Sequence, residues 1–416
     1  MKNLHYVILA IIFPVIFCTC SNDPVQVSQP TGAAKIKIGV LLSLTGAGAS
    51  SGEGTNASLD IAVNAINTYL SNIGGNWSVQ IFIEDTGTDT VIALNKMKSL
   101  FDRGIRFVIG PYSSAEAFAL KNYVDSAGIL LVSPSSEAIS LAISGDNIFR
   151  YVTNDRSQAK AINEYLYSDT VKVIIPILRN DIWGNDLVNS VSQEFTQSGG
   201  TVITPVKYDP NTTDFTAYIN SLNSKVQSAL ITYPPNQVAV LVAAFDEAKD
   251  ILKMSSGYSS LSNVRWYGNS ANANNKTILQ DSIAAGFAAN HGNFPSPIFG
   301  LDDYVRDKWE PLIQQIEVRI GRVPDVYSIT AYDALWTAVF TYITTGANPG
   351  IETLKTAFTG ISDSYLGASG RTALNEYGDR AYGNYDFWGI KMTASGYNWI
   401  KIAKYNTATG TLTKFY

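Results

Sequence analysis

Cysteine and histidine are almost absent from this sequence of 416 residues. The two cysteines, Cys18 and Cys20, lie close to the N-terminus, so the rest of the chain cannot form a disulfide or a thiolate metal site. Beyond His5 the only histidine is His291, which excludes a multi-histidine metal site and leaves one candidate for a Ser-His-Asp triad. No spacing of Asp and Glu singles out a hydrolytic carboxylate pair. We therefore expect binding without catalysis, and no metal or cofactor.

Charged residues are also scarce, at 16% of the chain, with 30 Lys and Arg against 35 Asp and Glu. The formal net charge of -5 offers no basic face for phosphate groups, so we expect no nucleic-acid partner. No long hydrophobic run follows the N-terminal segment. Apolar residues make up 46% of the sequence, which at this length is enough to bury more than one core.

The N-terminal segment has the composition of an export signal. Lys2 is followed by an apolar stretch at 6–17 that is too short to span a membrane comfortably, and we assign residues 1–20 to a signal peptide. Lipidation of Cys20 is the preferred interpretation, with Thr19 before the cleavage point. The two residues before Thr19 fit the usual lipobox poorly, so cleavage without lipidation or retention as an anchor stays open. Residues 21–34 are polar and contain prolines, which predicts a flexible tether.

Apolar runs alternate with helical patterns in two successive parts of the chain. Such alternation is typical of parallel sheets, whose strands are buried on both faces. The fold class predicted is α/β, with two doubly wound parallel-sheet lobes. In the second part, strands are predicted at 171–178, 202–206, 229–233 and 264–267, and helices at 158–167, 187–197, 215–222 and 238–248.

Two strand ends in the first part carry residues suited to binding a ligand. The strand at 107–110 is followed by Tyr112, Ser113 and Ser114, and the strand at 129–132 ends in a loop with further polar side chains. Small ligands bind beyond the carboxyl ends of strands in open α/β sheets. These loops are therefore predicted to form half of a ligand site, to which the second loop contributes Ser135, Ser136 and Glu137.

Several motifs, in their order and spacing, resemble the extracytoplasmic solute-binding proteins of type I fold, in the branched-chain amino-acid (Leu/Ile/Val-binding) group. The resemblance covers nearly all of 36–405. It implies two lobes joined by three crossings, which close like a hinge on a small solute. On this basis we assign 35–151 plus 287–378 to the N-terminal lobe and 152–286 plus 379–416 to the C-terminal lobe. The motifs are Ile38-Gly39-Val40, Leu44-Thr45-Gly46, Val108-Ile109-Gly110, Ser113-Ser114, Val132-Ser133-Pro134-Ser135-Ser136, Ile148-Phe149-Arg150, Trp183-Gly184, Ala331-Tyr332-Asp333-Ala334 and Gly378-Asp379-Arg380.

The resemblance also implies roles for individual residues. Ser114 and Ser135 match positions that hold the ligand carboxylate through hydroxyl and backbone amide groups. Trp183 and Tyr233 match aromatic residues of the second lobe that cover the ligand. These four positions would form an ordinary amino-acid site.

Three positions depart from the family pattern. Glu137 replaces a Thr that usually helps to bind the carboxylate, Ser270 replaces the acid that holds the ligand ammonium, and Ser51 replaces a bulky aromatic residue. A negative charge on Glu137 would repel the carboxylate of an anionic ligand. We therefore expect an amide, urea-like, hydroxylated or cationic solute. Alternatively the true match is shifted by one or two residues, Glu137 is solvated, and amino acids are the favoured ligands.

The resemblance implies a membrane permease with ATPase subunits as the partner that receives the solute. The protein is expected outside the cytoplasm, in the periplasm or on the outer face of the cell membrane, as a monomer. A second function remains open, in which the protein is a ligand-sensing subunit that signals to a separate membrane receptor. An enzyme on the same scaffold is disfavoured by the histidine count.

Overall fold

The computed structural model describes residues 34–415, so the predicted signal peptide, Cys20 and almost all of the tether lie outside the described residues. The first sheet has five parallel strands in the order β2-β1-β3-β4-β5. Its strands are β1 (Ala34–Leu42), β2 (Trp77–Asp85), β3 (Phe107–Ile109), β4 (Leu130–Ser133) and β5 (Ile148–Arg150). The helices that connect them are α1 (Ala49–Asn72), α2 (Thr90–Asp102) and α3 (Ser114–Ala127).

A second parallel sheet follows, in the order β10-β9-β6-β7, with β8 paired to β6. The strands are β6 (Val173–Arg179), β7 (Thr201–Val202), β8 (Val206–Tyr208), β9 (Val238–Ala243) and β10 (Arg265–Tyr267). The helices are α4 (Asp155–Ser168), α5 (Ile182–Gln197), α6 (Thr216–Thr232), α7 (Ala248–Ser255), α8 (Lys276–Gln280) and α9 (Ser282–Asn290).

The C-terminal part adds an antiparallel sheet and three helices. The sheet runs in the order β11-β14-β15-β16, and a separate two-stranded pair joins β12 to β13. These strands are β11 (Ser296–Gly300), β12 (Leu366–Gly367), β13 (Gly370–Arg371), β14 (Asn384–Thr393), β15 (Gly396–Asn406) and β16 (Thr411–Lys414). The helices are α10 (Arg306–Ile320), α11 (Val326–Thr345) and α12 (Ile351–Ser364). Short 3₁₀ helices lie at Ile139–Leu141, Pro235–Gln237, Leu261–Asn263 and Asp303–Val305.

Packing divides these later elements between the two parallel sheets. Helices α11 and α12 bury their apolar faces against the first sheet, in a core shared with α1. The antiparallel sheet instead packs its buried face on the second part, where Phe387 lies 4.7 Å from the Tyr165 ring of α4. The predicted lobe boundary after residue 286 falls inside α9. Strand β11, beyond it, pairs with β14 and so lies with the second part of the chain.

The predicted fold class is confirmed, and most predicted elements have counterparts. Two predictions in the second part are wrong. Residues 229–233, predicted as a strand, end helix α6, and the predicted helix 238–248 begins as the buried strand β9. The predicted strand at 202–206 is split between β7 and β8.

A buried ion pair joins two of the chain segments that cross between the lobes. Arg150, at the end of β5, donates from Nε and Nη2 to the two carboxylate oxygens of Asp379, at 2.6 and 2.7 Å. Both side chains are 1% exposed. The two residues also form an isolated parallel bridge through their backbones. The first and third crossings are thus held side by side.

Within residues 34–415, no helix is both long enough and apolar enough to cross a bilayer.

Candidate ligand-binding site

A small cavity lies where the loops after β3 and β4 meet the second lobe. We call it the cleft cavity. Its volume is about 10 Å³, which is roughly the space that one water molecule needs. Seven of the ten predicted ligand-binding residues line it, together with three that were not predicted. The lining residues are Tyr112, Ser113, Ser114, Ser135, Glu137, Trp183 and Ser270, and in addition Phe245, Ala271 and Tyr327.

The loop after β3 is shaped by helix capping. Ser113 caps α3: its Oγ accepts from the N–H of Glu116, whose carboxylate accepts from the Ser113 N–H in return. Such a capping box satisfies two donors that the helix end would otherwise leave unpaired. The next residue, Ser114, accepts on its Oγ from the N–H groups of Glu137 and Ala138, both at 3.1 Å. The two loops are therefore fixed to each other.

The remaining hydroxyl groups of these loops are also engaged within the protein. Ser135 Oγ donates to the carbonyl of Tyr112 at 2.8 Å. Ser133 Oγ lies 2.8 Å from the Oγ of Ser136 and from the carbonyl of Pro111. Of the two hydroxyl groups expected to hold a ligand carboxylate, that of Ser135 thus donates its proton within the protein, whereas Ser114 Oγ accepts in the contacts described above. An anion would have to displace the hydrogen bond of Ser135, at the cost of that bond.

Glu137 is the charged side chain of the cleft cavity, and it is 1% exposed. Its Oε2 accepts from Ser270 Oγ at 2.5 Å and from Gln158 Nε2 at 3.1 Å. Its Oε1 makes no hydrogen bond of good geometry among residues 34–415 and is covered by the surrounding side chains. Burial raises the pKa of Glu137 to about 7, although interactions with the hydroxyl groups of Ser270 and Tyr327 oppose the rise. In this closed arrangement one carboxyl oxygen therefore lacks a well-placed donor.

A second buried carboxyl group lies behind Glu137. Gln158 Nε2 also donates to Asp155 Oδ1 at 2.7 Å, and Gln158 Oε1 accepts from the N–H of Ser270 at 3.0 Å. Burial and the charge of Glu137 raise the pKa of Asp155 well above its ordinary value. Arg150 acts in the opposite direction. Because two buried carboxyl groups share one amide, a cation or a hydrogen-bond donor suits this end of the cavity better than an anion.

Aromatic rings from both lobes form the opposite wall. The centroid of the Phe245 ring lies 5.3 Å from that of Tyr112 and 4.8 Å from that of Trp183. The ring centroids of Tyr327 and Tyr112 are 6.1 Å apart. The guanidinium group of Arg179 lies over the Phe245 ring, 4.1 Å from its centroid. Ring faces attract cations and pack well against flat groups.

Three predicted site residues lie outside this lining. Ser51 is buried in the first turn of α1, and Ser136 is occupied with Ser133. Tyr233 follows the last turn of α6, where its hydroxyl lies 3.5 Å from Thr201 Oγ1. The prediction for Tyr233 depended on a strand ending there, and the chain is helical instead.

The residues that sequence reasoning missed had weak signals. Asp155 and Gln158 sit in the first turns of α4, one helical turn apart, after the Asn154 cap. Tyr327 follows Asp325, which caps α11. Phe245 comes two residues after β9, so the wrong assignment of that strand hid it.

Direct contacts hold the two lobes together at the mouth of the cleft. Ser50 donates from Oγ to Asp246 Oδ1 at 2.5 Å and from its N–H to Oδ2 at 3.1 Å. Nearby, Lys276 Nζ lies 2.6 Å from Glu53 Oε2. We call these two pairs the latch contacts. The structure is thus a closed arrangement of the lobes.

No group of three or more His, Cys, Asp or Glu side chains suitable for a metal ion occurs in the described part of the chain.

Comparison with known proteins identifies the class of protein that this fold and site define. Residues 35–271 match the sequence profile of the family described as periplasmic binding protein, and the chain belongs to that family. The family consists of extracytoplasmic solute-binding proteins, which are not enzymes.

Individual relatives agree with this assignment. An uncharacterized protein of Methanocaldococcus jannaschii is 27% identical over 410 residues, which cover 94% of this chain and 95% of the relative. The Leu/Ile/Val-binding protein BraC3 of Rhizobium johnstonii is 27% identical over 288 residues, covering 66% of this chain and 77% of that protein.

Solved structures share the fold. The leucine-binding protein LivK of Thermotoga maritima superposes with a TM-score of 0.74 at 18% identity, covering 90% of this chain and 99% of that one. A solute-binding protein of Rhodopseudomonas palustris in complex with 3,4-dihydroxybenzoic acid gives 0.70 at 14% identity, covering 90% and 98%.

Proposed function

We propose that this protein is the substrate-binding component of an ABC-type uptake system. It captures a small polar solute between its two lobes and delivers it to a membrane permease with ATPase subunits. Family membership supports the binding role, and a cavity lined from both lobes supports capture by closure. The relatives named as Leu/Ile/Val-binding proteins support a transported solute related to amino acids. The protein works outside the cytoplasm as a monomer, tethered through lipid on Cys20.

We further propose that the solute offers N–H donors or a positive charge to Glu137 and has no free carboxylate. The unpartnered Oε1 of Glu137, buried at the cleft cavity, is the observation that supports this ligand class. The hydroxyl group of Ser135, which already donates to the carbonyl of Tyr112, agrees with it. The aromatic wall complements a cation or a flat amide. Amides, ureas and small amines are the chemical classes that combine these features.

A thermal-shift screen tests the ligand class. Leucine, isoleucine and valine would be compared with amides, ureas, polyols and polyamines. A ligand at a hundredfold excess over its dissociation constant stabilises the folded protein by about 2.7 kcal/mol. We expect a shift from a compound without a carboxylate, and a much smaller shift in Glu137→Gln. Stabilisation by the branched-chain amino acids alone, equal in Glu137→Gln, would refute the ligand class while leaving the binding role intact.

Uptake of the identified ligand tests the transport role. Cells that lack the gene should take up the labelled ligand more slowly than cells that carry it. Normal uptake in the deletion strain would refute transport of that ligand by this protein.

A further inference from the structure

A second and larger cavity lies at the junction of the lobes, and its lining shares no residue with that of the cleft cavity. We call it the junction cavity. Its volume is about 320 Å³, within the range of sites that bind small organic molecules. The lining residues on which its chemistry depends are Phe299, Trp309, Ile313, Asp386, Trp388 and Lys401.

The walls of the junction cavity come from both lobes. Helix α10 and the start of α11 form one side, and they pack on α1 of the first lobe through Leu312, Ile316 and Ile329. Strands β11, β14 and β15 form the other side, as part of the antiparallel sheet that packs on the second lobe. A molecule bound here would contact both lobes at once.

Aromatic and aliphatic side chains supply most of this lining. Trp309 projects from α10, where the guanidinium group of Arg306 lies 5.3 Å from its ring. Trp388 and Phe299 come from the opposite sheet. Together with Ile313 they would bury a ring or a branched aliphatic group, which is favourable because apolar surface is removed from water.

One buried carboxylate gives the cavity a specific polar feature. Asp386 on β14 is 7% exposed, and its Oδ2 lies 2.8 Å from Lys401 Nζ. Its Oδ1 has no hydrogen-bond partner within residues 34–415 and almost no accessible surface, so a ligand would reach it after a small shift of the side chain. Buried carboxylate oxygen atoms are normally paired, because leaving one without a donor costs free energy.

The remaining charges of the junction cavity are nearly balanced. Its acidic side chains are four, Asp303, Glu310, Asp325 and Asp386, against two basic ones, Arg306 and Lys401. Lys404 pairs with Asp303 from outside the lining, at 2.7 Å, and Arg322 acts on Asp325. The preference for an amine therefore depends on the Asp386 carboxylate and on the aromatic rings.

We propose that the junction cavity is a second ligand site, which binds an amine with an aromatic or branched aliphatic body. The ammonium group donates to Asp386 Oδ1, and the apolar body packs between Trp309 and Trp388. Because this occupant contacts both lobes, it stabilises their closed arrangement. The proposal goes beyond solute capture in the cleft and involves none of the residues of the cleft cavity.

Titration with 4-fluorophenethylamine, followed by ¹⁹F NMR line broadening, tests the proposal on the whole protein. 4-Fluorophenylacetate, which has a carboxylate in place of the ammonium group, is the matched control ligand. We expect binding of the amine and at least tenfold weaker binding of the acid. Equal binding of both compounds would overturn the proposed pairing with Asp386.

Variants assign the binding to one cavity. Asp386→Asn and Trp309→Ala should each weaken amine binding about tenfold or more, since each removes a main contact. Ile313→Trp fills the cavity without removing a polar group and should likewise weaken amine binding about tenfold or more. Trp183→Ala, in the cleft, should leave amine binding unchanged. Loss of binding in Trp183→Ala, or unchanged binding in Trp309→Ala and Ile313→Trp proteins that melt like the parent, would overturn the proposal.

Discussion

The cleft cavity and the junction cavity both lie between the lobes, yet they are built in different ways. The cleft is formed by loops at the carboxyl ends of parallel strands, whose hydroxyl and amide groups bond to one another. The junction cavity is formed where a helix faces an antiparallel sheet. The side chains of the two elements do not fill the space between them and leave a cavity of about 320 Å³. The cleft therefore offers few uncommitted atoms, and the junction offers space.

This difference separates two ways of achieving selectivity. In the cleft, hydrogen bonds within the protein fix the position of Glu137, so a ligand meets a preorganised carboxyl group. In the proposed site of the junction cavity, apolar area dominates, and we expect the Asp386 carboxylate to orient the amine. We expect narrow selectivity in the first site and broader selectivity in the second. The following changes test that contrast, beginning with the largest expected effect.

Removal of Asp379 should damage the whole hinge, and the cleft more than the junction. Asp379→Ala leaves the Arg150 guanidinium buried without its partner, which typically costs about 3–5 kcal/mol of unfolding free energy. Arg150 also donates to the carbonyl groups of Ser136 and Ala138, on either side of Glu137, so ligand binding in the cleft should weaken as well. Urea denaturation measures the stability change.

The control for this change is Glu352→Ala, which removes a partner of Lys355 from a pair in which Glu352 is 84% exposed. Its cost should remain below about 1 kcal/mol. If both variants lost a similar amount of unfolding free energy, the buried pair of Arg150 and Asp379 would contribute no more to stability than an exposed ion pair.

Replacement of Glu137 should affect one cavity only. Glu137→Gln keeps the size of the side chain and removes its charge, so a cleft ligand that donates to it should bind about 10–100-fold more weakly. Binding of 4-fluorophenethylamine in the junction cavity should not change. Isothermal titration calorimetry measures both affinities, with the exposed Glu376→Gln as control. If the binding affinity fell equally in both cavities, the two could not be treated as separate sites.

The pH dependence of binding should also differ between the sites. Burial raises the pKa of Glu137 to about 7, so a cationic cleft ligand should bind more tightly as pH rises from about 6 to about 8, by up to roughly tenfold per pH unit below that pKa. The folded state holds this proton more tightly than the unfolded state, whose pKa is near 4.5. Its contribution to stability is therefore complete below pH 4.5 and is lost as pH rises through 7.

Glu137→Gln should flatten both pH profiles between these limits. Binding and unfolding measured on the two proteins across that range provide the check. If the affinity of the parent protein did not change with pH over this range, Glu137 would not be an ionising group in contact with the ligand.

Loss of a latch contact should have the smallest effect. Lys276→Ala removes the partially exposed pair with Glu53, which contributes less than about 1 kcal/mol and is screened by salt. Ligand affinity in the cleft should fall by less than about fivefold, and less at high salt. A loss that persists at 1 M salt would indicate a contribution other than the ion pair.

The first sheet could be predicted closely because its apolar runs are bounded by clear turn residues. The run at 107–110 and the helix after Ser113 agree with β3 and α3, whose capping box is visible in the sequence. The second part was harder because β9 is buried on every residue and has no alternating pattern. A short, uniformly apolar run fits a strand and a helix equally well.

The two loops that the first lobe contributes to the site could also be predicted, because each follows directly after an apolar run that is recognisable as a strand. Contacts across the lobes could not. The hydrogen bond from Ser270 to Glu137 spans 133 positions in the sequence, and only the closed fold brings these residues together. Glu137 was singled out by its departure from the family pattern, whereas Gln158, which holds both carboxyl groups, left no such sign.

The latch contacts have a consequence for how long a solute stays bound. For a solute held in the cleft cavity, we expect release to require that Ser50 separate from Asp246 and Glu53 from Lys276. The rate of opening would then limit dissociation, together with the contacts that the solute makes to both lobes. A docking partner that competes for these four side chains would shorten the residence time.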